Sequence, residues 1–132
     1  MRINYYPMEE IIAKRSRRIL LVDDVVGDAE MLAELLNHWG HEARAVGGGA
    51  QALEIVSSFA PAVVILDLDM PGLDGFAVAQ ALKQLPGLGK VELFALSGWN
   101  DPAVRERCKQ VGFDHFFSKP IAANQILFAL EE

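Results

Sequence analysis

Cysteine is nearly absent. Cys108 is the single one among 132 residues, which excludes an internal disulfide and fits a reducing compartment. Its flanking Arg107 and Lys109 would lower a thiol pKa, but a small helix residue without a redox role is the simpler expectation. No apolar run approaches the roughly 18 residues that span a bilayer. Near the N-terminus, Glu9, Glu10 and Lys14 bracket Ile11-Ile12-Ala13, so a signal-peptide core is missing as well. A cytoplasmic protein is expected. Basic residues are the minority, 12 against 18 acidic for a net charge of −6, which argues against nucleic-acid binding, since phosphate backbones need a basic face. Internal repeats and low-complexity tracts are lacking too. What remains is ordinary globular material, 52% apolar and 23% charged, enough for one domain that buries about two-thirds of its unfolded surface.

Residues 1–16 stand apart. Pro7 is placed to open a short helix through Met8 to Arg15, and the basic cluster Lys14, Arg15, Arg17 and Arg18 leads into the first strand. The cluster is read as a solvated linker in preference to a contact for an anionic partner. From residue 17 onward the pattern alternates. Ile19-Leu20-Leu21-Val22 predicts a buried strand, and Asp28 to Trp39 a helix with Ala29, Leu32, Ala33 and Leu36 on one face. Strands follow at Glu42–Val46, Ala62–Leu66, Val91–Leu96 and His115–Ser118. Helices are expected at Ala50–Ser58, Asp74–Leu85, Pro102–Val111 and Ala123–Glu132. The run Gly47-Gly48-Gly49 lacks a phosphate-binding fingerprint and reads as a loop into the second helix. Five βα units dictate a parallel sheet covered on both faces. With right-handed crossovers, the expected fold is α/β, a flavodoxin-like doubly wound five-stranded sheet in the order 2-1-3-4-5 with five helices.

In such a sheet every carboxyl end lies on one edge, where ligands bind. Asp23-Asp24, Asp67, Ser97 and Lys119 end strands one, three, four and five and therefore converge. Carboxylates crowded in one crevice repel each other unless positive charge neutralises them. Lys119 supplies one charge and a divalent cation the rest. An oxygen-only donor set favours Mg²⁺; neither thiol nor histidine lies at these strand ends, so zinc is disfavoured. His38, His41 and His115 are scattered and none is assigned a phosphoryl role. A carboxylate relieved of repulsion is a competent nucleophile toward phosphorus, and Asp67 is the candidate, with Lys119 and Ser97 holding phosphoryl oxygens.

The motifs that carry these residues are Leu21-Val22-Asp23-Asp24, Asp67-x-x-Met70-Pro71-x-x-x-Gly75, Ala95-Leu96-Ser97-Gly98 and Ser118-Lys119-Pro120. In this order the chain resembles a CheY-like receiver domain of two-component response regulators over residues 17–132. That resemblance implies Asp67 as phosphoacceptor, Asp24 as the direct Mg²⁺ ligand with Asp23 acting through water, and the Asp69 backbone carbonyl as a further ligand. It implies Ser97 as the switch hydroxyl, Lys119 as the phosphate partner and Phe116 as the switch aromatic. Its implied partners are a histidine kinase or histidine phosphotransfer protein and a downstream effector protein, with dimerisation possible. Leu85-Pro86-Gly87-Leu88, Ser97-Gly98-Trp99 and Val111-Gly112-Phe113-Asp114 resemble receivers of hybrid histidine kinases more than those fused to DNA-binding domains.

The switch hydroxyl is serine rather than the commoner threonine, and Phe116 has no phenol to hydrogen-bond when it turns inward. Asp69 and Trp99, each two residues past a site residue, are expected to flank the phosphoryl group and to alter its lifetime. Two rivals stand beside this reading. An aspartate-nucleophile phosphatase of the haloacid dehalogenase kind is suggested by Asp67-Leu68-Asp69, but its nucleophile follows its first strand and its metal acids come later. A docking receiver that is never phosphorylated is the other. Phe128, near the end of the last helix, is left open between a partner contact and core packing.

Overall fold

The computed structural model describes residues 15–70, 75–87, 90–99 and 101–131. All of the expected helix of Met8 to Arg15 except Arg15 lies outside them, as do residues 71–74. Strands β1 (Arg18–Val22), β2 (Glu42–Val46), β3 (Val63–Asp67), β4 (Glu92–Ser97) and β5 (His115–Ser118) alternate with α1 (Val26–His38), α2 (Gly49–Phe59), α3 (Gly75–Gln84), α4 (Pro102–Val111) and α5 (Ala123–Leu130). All four strand pairings are parallel and the order is β2-β1-β3-β4-β5. The expected fold is the observed one.

Strand periodicity divides the core into two. Ile19, Leu21, Ile65 and Phe94 point to one face, where Ala29, Ala33 and Leu36 of α1 and Ile126 and Leu130 of α5 meet them. Leu20, Val22, Val64, Leu66 and Leu93 point to the other, against Ala52, Val56 and Phe59 of α2 and Val78, Ala79 and Leu82 of α3. Successive side chains of a strand alternate between faces, so a run of unbroken apolar residues is what a strand covered on both sides requires. β3 is buried along its whole length, Asp67 included. The flanking β2 and β5 are only partly buried.

Chain punctuation sets the element ends. The Asp101 carboxylate accepts from the Val104 N–H at 2.9 Å and caps α4, with Pro102 at its first position. Gly112 ends the same helix at φ +102°, a conformation glycine adopts without a Cβ penalty. Several expected boundaries move by one or two residues; among them, β3 and β4 end on Asp67 and Ser97 rather than before them. The backbone N–H of Leu68 still pairs with Leu96 and that of Lys119 with Ser97, so ladder bonding carries these polar residues inside the sheet edge.

Part of the basic cluster is structural, which corrects its reading as linker. Arg17 reaches the Leu130 carbonyl at 2.9 Å and Glu92 at 3.2 Å, joining β1 to α5 and β4. Arg18 Nε donates to the Phe59 carbonyl at 2.6 Å, and its guanidinium lies 4.8 Å from the Phe59 ring centroid. Cys108 is buried, and burial pushes its thiol pKa up despite Arg105 and Arg107, the reverse of activation.

Candidate functional site

The chain leaves β1, β3, β4 and β5 at one edge, and the polar residues at those four exits meet there. Asp67, 2% exposed, is the last residue of β3. Lys119, just past β5, places Nζ 2.7 Å from Asp67 Oδ1. The Asp69 N–H donates to the same Oδ1 at 2.8 Å, so one carboxylate oxygen takes both a cation and a backbone donor. From the far side of the crevice, carboxylate oxygens of Asp23, Asp24 and Asp67 lie within 4.8 Å of one another. Asp24 is exposed and Asp23 half-buried, its Oδ1 accepting from the Val25 N–H at 2.9 Å.

The electrostatics follow from this crowding. Partial burial pushes the Asp23 carboxyl up to about 6, and the adjacent Asp67 carboxylate adds to the rise against the Val25 N–H and Lys119. Lys119 behaves oppositely: burial works against its charge, but Asp67 and Asp69 more than offset that and hold the ammonium above its usual range. A carboxylate trio that one lysine leaves short of positive charge, built of oxygen donors alone, fits a hard divalent cation such as Mg²⁺.

Ser97, fully buried, turns its hydroxyl to Asp69. Its hydroxyl donates to Asp69 Oδ1 at 2.9 Å and accepts from the Trp99 N–H at 3.0 Å. Asp69 Oδ2 takes the Gly98 N–H at 2.7 Å and lies 3.4 Å from Lys119 Nζ. Burial alone would raise the Asp69 pKa, but these donors outweigh it and hold the carboxyl below its ordinary value. The residues named from the sequence thus fall into two layers: Asp23, Asp24, Asp67 and Lys119 in one, Asp69, Ser97 and Trp99 in the next. Trp99 is 70% exposed. Phe116 stands apart, half-buried in β5 opposite Ala95, with the Arg105 guanidinium 4.5 Å from its ring centroid.

Two features escaped the sequence reading. The bond from Ser97 to Asp69 joins residues 28 apart and leaves no linear signal. A groove of about 620 Å³ opens beside the site, lined by Val25, Met31, Leu35 and Ile121 and bounded by Asp23 and Lys119. Its signal was present: Met31 and Leu35 are apolar yet fall off the α1 face that packs on the sheet, and both are exposed. Phe128 is exposed, which settles it outside the core.

The family model of the response regulator receiver domain matches residues 19–131. The sensory/regulatory protein RpfC of Xanthomonas campestris is 32% identical over 89% of this chain, which spans only 16% of that protein's length. Sporulation initiation phosphotransferase F of Bacillus subtilis is 27% identical over 89% of this chain and 93% of its own. A CheY-like receiver domain from Methylobacillus flagellatus has a solved structure that superposes with a TM-score of 0.78 at 30% identity, covering 88% of this chain and 97% of that one. The chain therefore belongs to the response regulator receiver domain family, the signalling switches of two-component systems.

Proposed function

We propose that this receiver is a phosphorylatable switch in which Asp67 takes a phosphoryl group from a phosphohistidine. The observation that carries this reading is the buried Asp67 carboxylate, paired with Lys119 at 2.7 Å and facing Asp23 and Asp24. An Asp67 carboxylate oxygen attacks phosphorus in line; the O–P bond forms as the P–N bond breaks, and the electron pair returns to the imidazole nitrogen. Bound Mg²⁺ would be held by Asp24 and Asp67, by Asp23 through water and by the Asp69 carbonyl, and would supply neutralisation of the phosphoryl oxygens. Lys119 keeps the attacking carboxylate aimed and later holds a phosphoryl oxygen. The new charge of about −2 draws Ser97 and Lys119 inward. Phe116 follows Ser97, and the α4-β5-α5 surface repacks for a downstream effector. Turnover is confined to the domain's own phosphorylation and dephosphorylation, whose rate Asp69 and Trp99 modulate.

The phosphoryl donor, a histidine kinase or histidine phosphotransfer protein, docks in the α1 groove, because its apolar wall at Val25, Met31 and Leu35 adjoins the crevice that holds Asp67. Residues 1–16 are then an extension ahead of the receiver. Its limited share of RpfC agrees with a receiver built into a longer sensor protein such as a hybrid kinase. Incubation with acetyl phosphate and Mg²⁺ followed by intact mass tests the switch. A phosphate-sized gain that is lost in Asp67→Ala is expected. No gain in the unaltered protein would leave a docking module instead.

A further inference from the structure

We propose that the Asp69 carboxylate is an internal occupant of the phosphoryl subsite, which it must vacate when Asp67 is phosphorylated. The inference rests on the phosphoacceptor reading of Asp67 and adds to it a resting-state brake. Three donors from two strand ends converge on this one carboxylate. They are the Ser97 hydroxyl at 2.9 Å, the Gly98 N–H at 2.7 Å and the Lys119 ammonium at 3.4 Å. A hydroxyl, a backbone N–H and an ammonium gathered in one crevice make an anion receptor of the kind that stabilises phosphoryl oxygens. Here the receptor is already filled from within.

Two details make the occupation exclusive. Ser97 has a single hydroxyl proton, and the acceptor-only Asp69 carboxylate takes it at 2.9 Å, while the Trp99 N–H donates to the same hydroxyl oxygen at 3.0 Å. Ser97 therefore cannot serve a phosphoryl oxygen until the Asp69 bond breaks. Lys119 bridges the two acids, 2.7 Å from Asp67 and 3.4 Å from Asp69, so the Asp69 carboxylate lies one ammonium away from the acceptor. A phosphoryl group on Asp67 brings about −2 charge beside a second anion that claims the same donors. The Asp69 backbone is tied to Asp67 through its N–H at 2.8 Å, so the exchange falls to rotation of the Asp69 side chain. Asp69 acts through Ser97 and is a positioning residue.

Beryllium fluoride with Mg²⁺, a non-covalent stand-in for the phosphoryl group, is the probe, titrated by ¹⁹F NMR. Removing the occupant in Asp69→Ala is expected to tighten its binding by about tenfold, the equivalent of one charge-assisted hydrogen bond no longer in competition. In a Ser97→Ala background the same substitution should gain far less, because the contested proton is gone. Equal or weaker binding by Asp69→Ala, or a full gain that persists without Ser97, overturns the proposal. In the unaltered protein the Asp69 side-chain carboxyl ¹³C resonance must shift when the probe binds; an unmoved resonance overturns it even if the variants fail to fold. Acetyl phosphate separates the two readings. A mass gain on Asp67 with no competition by Asp69 removes only the brake, while no mass gain and no probe binding remove both.

Discussion

Asp23 is partly buried beside the Asp67 carboxylate, and its pKa of about 6 marks a charge that the site does not fully neutralise by itself. Between the ordinary value of 3.8 and about 6 the folded protein holds a proton that the unfolded chain has released. Stability of the metal-free protein therefore falls as pH rises through that window. Asp23→Asn removes the loss, so thermal denaturation without metal should find the variant equal to the parent near pH 4 and more stable above pH about 6. In the proposed site Mg²⁺ would displace the same proton, and calorimetric titration should show affinity weakening by up to tenfold per unit below pH about 6, a slope that Asp23→Asn flattens. These acids were legible in the sequence because each ends an apolar run, a one-dimensional signal. Which donor each one takes was not legible. The expectation that Ser97 serves a phosphoryl group is joined by its bond to Asp69, a contact made only when β3 and β4 lie side by side.

At the scale of elements, α4 shows how local chemistry fixes a boundary. Its mean composition is polar, with Arg105, Glu106, Arg107 and Lys109 outward and Cys108 buried, so caps matter more to it than to the apolar α5. Asp101→Ala should cost about 1 kcal/mol through the lost bond to the Val104 N–H. Gly112→Ala should cost about 1 kcal/mol or more, because a Cβ is strained at φ +102° and would also press on the Lys83 side chain. Urea denaturation checks both, with lower midpoints at unchanged m expected. Helix positions were readable from Asp101-Pro102 and Gly112 for the same reason. The basic cluster was misread because Arg17 and Arg18 find their partners, Glu92, Leu130 and Phe59, only after three separate elements assemble at the opposite edge of the sheet.

On the scale of the whole molecule, one sheet carries two cores, and its acidic edge is the place where binding energy enters. Anything that binds the folded state alone raises its stability by mass action, about 2.7 kcal/mol at a hundredfold excess over Kd. Mg²⁺ with beryllium fluoride should therefore raise Tm, and Asp67→Ala should abolish most of the rise by removing the central acid of the cluster. A scan at several ligand concentrations checks this; a Tm independent of ligand would refute it. The fold was fully legible because five apolar runs of strand length alternate with helical periods, and parallel connectivity leaves few ways to join them. The α1 groove was not, since an apolar residue on an exposed helix face is commonplace until its neighbours are known.

A carboxylate seated among Ser97, Gly98 and Lys119 also bears on signal fidelity. Cells hold millimolar inorganic anions that an empty receptor of this kind would sample continually, each visit a false report. An attached carboxylate competes at the high effective concentration of a tethered group, which free ions arriving by diffusion do not match. In the proposed switch only a phosphoryl group covalently fixed to Asp67 would share that advantage. The resting receiver would thereby distinguish a message from background by its means of attachment rather than by its charge.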